Sequence, residues 1–142
     1  MNVVISAVLT FAALVLLTCR CVIKLTRAVG LHSDIKRGQA LTVSARIVYR
    51  WLTPSRGGYI GTTYAKAIYS VNGTESAAWM VCASSRQLSK NERVTVVTGK
   101  NARRVFAFDR KQSRDAVMTY AVFSALSFAA LALLAVTVMA LL

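Results

Sequence analysis

The sequence predicts a membrane α + β protein: two transmembrane helices flanking a small antiparallel β-domain of about five strands, barrel-like in form. Three observations carry this. The chain has 142 residues, 56% of them hydrophobic, yet a formal charge of +13 from 18 Lys/Arg against 5 Asp/Glu. Every charged side chain lies between Arg20 and Asp115, which leaves both ends uncharged and apolar. Between them the apolar period shortens to two, the spacing of a strand with one buried face. So apolar a chain is not disordered, and three cysteines are too few and too odd a number for a disulfide-stapled domain.

Residues 1–23 form the first predicted span. The run Val3 to Thr18, prolonged through Ile23, reaches the roughly 20 apolar residues that a helix needs to cross a bilayer, with Arg20 snorkelling to the headgroups. A cleaved signal peptide would begin with a basic region, and Met1-Asn2 carries no side-chain charge. Leu16-Leu17-Thr18-Cys19 echoes a lipoprotein processing box, but Thr18 is bulky and the basic residues follow where they should precede. The expectation is an uncleaved anchor. Residues 111–142 supply the second span, Ala116 to Leu142, behind a basic flank.

Orientation is read from the flanking charges. Arg20, Lys24 and Arg27 leave the first span, and Arg110, Lys111 and Arg114 enter the second. The positive-inside rule then places the central segment in the cytoplasm and both termini outside. These six side chains are the candidate contacts to anionic lipid. In the second span Ala121, Ala125 and Ala129 form a small-residue stripe suited to close helix packing, and Ser6, Thr10 and Ala13 repeat that spacing in the first.

Residues 24–39 form a basic juxtamembrane linker. Leu25, Ala28, Val29, Leu31 and Ile35 fall near helical spacing, so the segment either prolongs the first helix, lies in the interface, or is a plain solvated connector. Residues 40–110 are the β-domain. Val43, Ala45, Ile47, Tyr49 and Trp51 alternate with Thr42, Ser44, Arg46, Val48 and Arg50, which predicts one strand with the first set on its buried face. Pro54, Gly57, Gly58 and Gly61 mark a loop. Thr62 to Val71 and Thr74 to Cys82 meet at Asn72-Gly73, the strongest short-range signal for a type I′ hairpin. Ser84 to Glu92 reads as a polar loop, followed by two short strands, Arg93 to Thr98 and Arg104 to Asp109.

This order resembles a group of bacterial two-span proteins with an inserted β-domain of unknown function. The likeness rests on Val48-Tyr49, Tyr69-Ser70-Val71-Asn72-Gly73, Val94-Thr95-Val96 and Val105-Phe106, within residues 40–142. It departs after the fourth strand, where Thr98-Gly99-Lys100-Asn101-Ala102 stands in place of Tyr-Asp-Pro or Asn-Pro. The resemblance implies the architecture, a bacterial inner membrane, and no activity.

Chemistry-bearing residues are sparse. His32 is the lone histidine, and Asp34, two residues on, falls on a different helical face. No nucleophile elbow or phosphate-cradling glycine loop is present. Cys19 and Cys21 mark a membrane edge and Cys82 a strand, a poor set for structural zinc. At the membrane edge Cys19 and Cys21 read as small apolar residues, with palmitoylation the alternative. The expectation is no catalysis, no metal and no cofactor. Basic charge interleaved with Tyr49, Trp51, Tyr59, Tyr64, Tyr69 and Trp79 also fits single-stranded nucleic acid. The weight falls instead on lipid headgroups, with the aromatics assigned to the β core. The functional expectation is a non-catalytic membrane protein whose β-domain engages a protein partner, a second copy or the membrane surface. The alternative is a small immunity protein, or an accessory subunit of a transport or secretion complex.

Overall fold

The computed structural model describes residues 2–54, 60–84, 87–100 and 105–141, and resolves two compact units, Arg27–Met118 and a unit made of Met1–Thr26 with Thr119–Leu142. Six elements follow in order: α1 (Asn2–Lys36), β1 (Leu41–Pro54), β2 (Ile60–Val71), β3 (Thr74–Ser84), β4 (Arg93–Thr98) and α2 (Arg110–Leu141). Both helices are long and apolar enough to cross a membrane. Their large apolar side chains, such as Leu9, Leu16, Phe123 and Leu133, lie exposed, where those of a soluble core helix would be buried.

α1 does not stop at the predicted span. It continues through the basic connector to Lys36, and Ala28 and Leu31 are fully buried at the helical spacing read from the sequence. Gly38 ends it with φ +69°, donating to the Ile35 carbonyl, while Gln39 donates to Asp34, the paired bonds of a Schellman cap.

In the unit of helix ends, the buried positions are Thr18 on α1 and Tyr120, Ser124 and Ser127 on α2, the last three at spacings of four and three that place them on one helix face. Thr10, Thr18 and Thr137 in the apolar stretches each donate to the carbonyl four residues back, whereas the buried Ser124 hydroxyl has no partner among the described residues.

The β-domain is an open four-stranded antiparallel sheet of order β3-β2-β1-β4. Among the described residues the sheet is not closed into the barrel-like form predicted from sequence, and the predicted fifth strand does not join it as a strand. Of Arg104 to Asp109, the described part makes a single bridge, Ala107 to Val97. The reason is chemical. The Val105 carbonyl accepts from the hydroxyls of Tyr69 (3.2 Å) and Thr98 (2.8 Å), and Phe106 turns wholly inward, so no ladder can extend. Asp109 then caps α2, its carboxylate accepting from the Gln112 amide at 2.7 Å while the Gln112 side chain accepts from the Phe108 amide. The Asn72-Gly73 hairpin forms as expected, with φ of 51° and 76° between Val71 and Thr74. The glycine loop over residues 55–59 and the Asn101-Ala102 turn lie outside the described residues.

A bulge in β1 decides which side chains face where. Arg46 pairs with Ile68 and Ile47 with Ala67, but Tyr49 pairs with Lys66, so Val48 is an extra residue. One inserted residue reverses the alternation of everything beyond it. Ala45 and Ile47 stay on the core face with Ala65, Ala67, Tyr69, Val94 and Val96, whereas Tyr49 and Trp51 turn outward. The expectation that Tyr49 and Trp51 share a buried face with Ile47 is therefore wrong. Arg50 takes the inward phase instead, where its guanidinium donates to the Leu88 carbonyl. The Leu88 amide in turn donates to the buried Thr62 hydroxyl at 3.0 Å.

Candidate functional site

The outer face of the sheet gathers the aromatic side chains that sequence reasoning assigned to the core. Tyr49 and Trp51 of β1 are 49% and 58% exposed, large values for such rings. Across the register, Trp51 stands opposite Tyr64, Tyr49 opposite Lys66, and Lys66 opposite Trp79. The Tyr64 and Trp79 rings stack with centroids 5.2 Å apart and planes at 24°, and Tyr49 meets Trp79 edge-on at 5.2 Å. The Lys66 ammonium sits over Trp79, 5.9 Å from its centroid. Alternation on β2 and β3, together with the bulge on β1, brings residues from three strands onto one surface. Of the aromatics named from sequence that lie among the described residues, Tyr69 alone belongs to the core, edge-on to Phe106 at 6.3 Å. Burial holds its phenol above the ordinary range near 10, partly offset by its bonds to Thr98 and Val105.

Basic residues extend this face. Arg46 and Arg93 stand directly opposite on β1 and β4, both exposed. Like charges paired across strands destabilise a sheet. Glu75, an acid of the same face, stands at the hairpin end opposite Ser70.

The site residues named from sequence are distributed differently. In the single chain Ala125 and Ala129 are exposed and Ala121 half-buried, while Tyr120, Ser124 and Ser127 are buried. Ser6, Thr10 and Ala13 of α1 are likewise exposed. Among the flanking cations, Lys24 lies over the Tyr120 ring at 5.9 Å. Arg20 is exposed and Arg27 half-buried. Arg110, Lys111 and Arg114 are exposed in the first turns of α2. Arg110 and Arg114 share the electrostatic surroundings of His32 with Lys36. His32 Nδ1 stands 3.4 Å from the Ser113 hydroxyl, and Ser113 is fully buried. A buried hydroxyl offers no approach to a substrate, so the contact ties helix to helix within its unit. Cys19 and Cys21 are free thiols, and no group of three or more metal-ligating side chains occurs among the described residues.

Sequence reasoning missed the outer face because the bulge leaves little trace in composition. The available hint was Val48 and Leu52, two apolar residues in the phase assigned to solvent. No known family, curated protein or solved structure matches this chain.

Proposed function

We propose that this chain is a non-catalytic, two-span membrane protein whose β-domain is an interaction module. The observation that carries the reading is the outer sheet face, where Tyr49 and Trp51 are held exposed beside Tyr64, Lys66 and Trp79. Exposed aromatic clusters of this kind mark interaction surfaces rather than cores. The apolar helices at either end supply the membrane anchor. A bacterial inner membrane with the β-domain in the cytoplasm fits the basic residues at both span ends.

Two measurements test it. A photo-crosslinking amino acid at Ser44, exposed on the outer face, is expected to give discrete adducts in intact cells, and one at Lys90 in the β3–β4 loop is not. Equal adducts at both positions, or adducts to neither protein nor lipid at Ser44, would remove the module. For orientation, a cysteine at Asn2 should react with an impermeant thiol reagent in whole cells and one at Lys100 should not. The reverse pattern would place the β-domain outside.

A further inference from the structure

We infer that the outer face of the sheet seats on an anionic lipid bilayer, with Tyr49 and Trp51 entering the headgroup region and Arg46, Arg93 and Lys66 contacting lipid phosphate. This rests on the interaction-module reading and commits it to one occupant.

The first argument is side-chain chemistry. Trp and Tyr have an apolar body and a polar edge, and they concentrate at the level of lipid headgroups. Here the most exposed rings of the sheet, Trp51 and Tyr49, are of these types. The second is charge complementarity. Arg46 opposite Arg93 is an unfavourable pair in the isolated sheet. A phosphate bridging the two guanidinium groups removes the repulsion and makes charge-assisted bonds in its place. Lys66, held over Trp79, adds a third cation on the same surface. The third is availability. The domain is joined at both ends to helices long and apolar enough to span a membrane, so a bilayer is present at high effective concentration without any search.

Single-stranded nucleic acid meets the same charge but not the same ring geometry. Bases stack on open aromatic faces. In this face Tyr64 and Trp79 each have one ring face taken by the other, and Tyr49 is turned edge-on to Trp79, which leaves Trp51 as a single open ring rather than a row of stacking platforms. Interfacial seating needs only the amphipathic bodies and edges that remain.

The protein carries its own reporter, because its two tryptophans, Trp51 and Trp79, both lie on this face. Full-length protein is reconstituted in nanodiscs of phosphatidylcholine alone or mixed with phosphatidylglycerol, with some lipid brominated near the glycerol end of its chains. The inference expects a blue-shifted emission and bromolipid quenching at least about twofold stronger in the anionic discs. Both effects should diminish in high salt and in the Arg46→Gln/Arg93→Gln variant, whose far-UV circular dichroism is unchanged. Single-tryptophan variants Trp51→Phe and Trp79→Phe assign the signal to each ring. Tryptophans that stay open to aqueous acrylamide and insensitive to bromolipid in both discs overturn the inference. So does an equal shift with inorganic phosphate in phosphatidylcholine discs, or quenching by a single-stranded oligonucleotide that exceeds quenching by lipid. If bromolipid fails while the crosslinker at Ser44 captures one discrete protein, the module stands and the lipid occupant falls.

Discussion

The two halves of β1 follow the same rule in opposite phase. From Leu41 to Ile47 the inward side chains are odd-numbered, and Ala45 and Ile47 are buried. From Tyr49 to Leu52 they are even-numbered, so Tyr49 and Trp51 are exposed while Arg50 reaches inward to Leu88. Leu41 to Ser44 pair with β4 alone, Ala45 and Arg46 pair with both β4 and β2, and beyond Ile47 the β4 ladder has ended and β2 is the remaining partner. The phase change comes where the second neighbour is lost. Asn91, with φ +64°, donates to the Ile47 carbonyl at 2.7 Å, and Ile47 donates to Glu92 at 2.9 Å, so the ladder closes in a turn beside the bulge. A single unpaired residue, Val48, thus separates a strand half that builds a core from one that displays rings to an external phase.

Removing that residue tests whether the pairing or the bulge itself sets the display. Deletion of Val48 leaves a regular ladder in which Ile47, Tyr49, Arg50 and Trp51 keep Ala67, Lys66, Ala65 and Tyr64 as partners, so Tyr49 and Trp51 stay outward. The β-domain should keep its protease resistance, with Trp51 still open to aqueous quencher. Loss of resistance, or a Trp51 shielded from quencher, would mean that the extra residue is itself required for the outward phase.

The hairpin acts on the same surface through backbone strain. Gly73 has φ +76°, and open space surrounds the position where a Cβ would stand, so Gly73→Val strains the backbone without a clash. The expected loss is about 1–3 kcal/mol. β2 and β3 carry Tyr64, Lys66 and Trp79, so a loosened hairpin should also weaken the Tyr64–Trp79 stack. Limited proteolysis and near-UV circular dichroism of the detergent-solubilised chain should move together. Unchanged protease resistance would show that the hairpin does not depend on positive φ at Gly73.

What could be read from sequence follows from the range of the determinants. Asn72-Gly73 specifies its turn within two residues, and the apolar ends specify helices by composition alone. Ala28 and Leu31 announced the prolongation of α1 through local helical spacing. The bulge at Val48 depends on partners far along the chain, Lys66 and Glu92, so alternation within β1 pointed to the wrong phase. The fifth strand failed for a similar reason: Val105 and Phe106 have strand-like side chains, but the Val105 carbonyl is taken by Tyr69 and Thr98 from other strands. Ala121, Ala125 and Ala129 lie beside the buried row Tyr120, Ser124 and Ser127: Ala, Ser and Tyr all fit a helix contact, and composition does not say which row of α2 turns inward within one chain.

The mildest substitution sharpens the comparison most. Trp51→Ala removes the largest side-chain type at a position 58% exposed, where the ring supports little of the core. Substitutions at such positions change stability by no more than about 0.5 kcal/mol. Ile47→Ala, four residues earlier on the same strand, empties a fully buried site and should cost about 2–5 kcal/mol. Chemical denaturation of the two variants in one detergent, followed by far-UV circular dichroism, gives the contrast directly. A Trp conserved in space for packing would lose stability on removal, whereas a Trp displayed for an external phase would not. If Trp51→Ala proves as damaging as Ile47→Ala, the ring belongs to the scaffold, and the outer face loses its standing as a surface built for contact. If stability is retained, Trp51 is dispensable to the scaffold, and the ring exposed beside Tyr49, Tyr64 and Trp79 keeps its place in a surface open to contact.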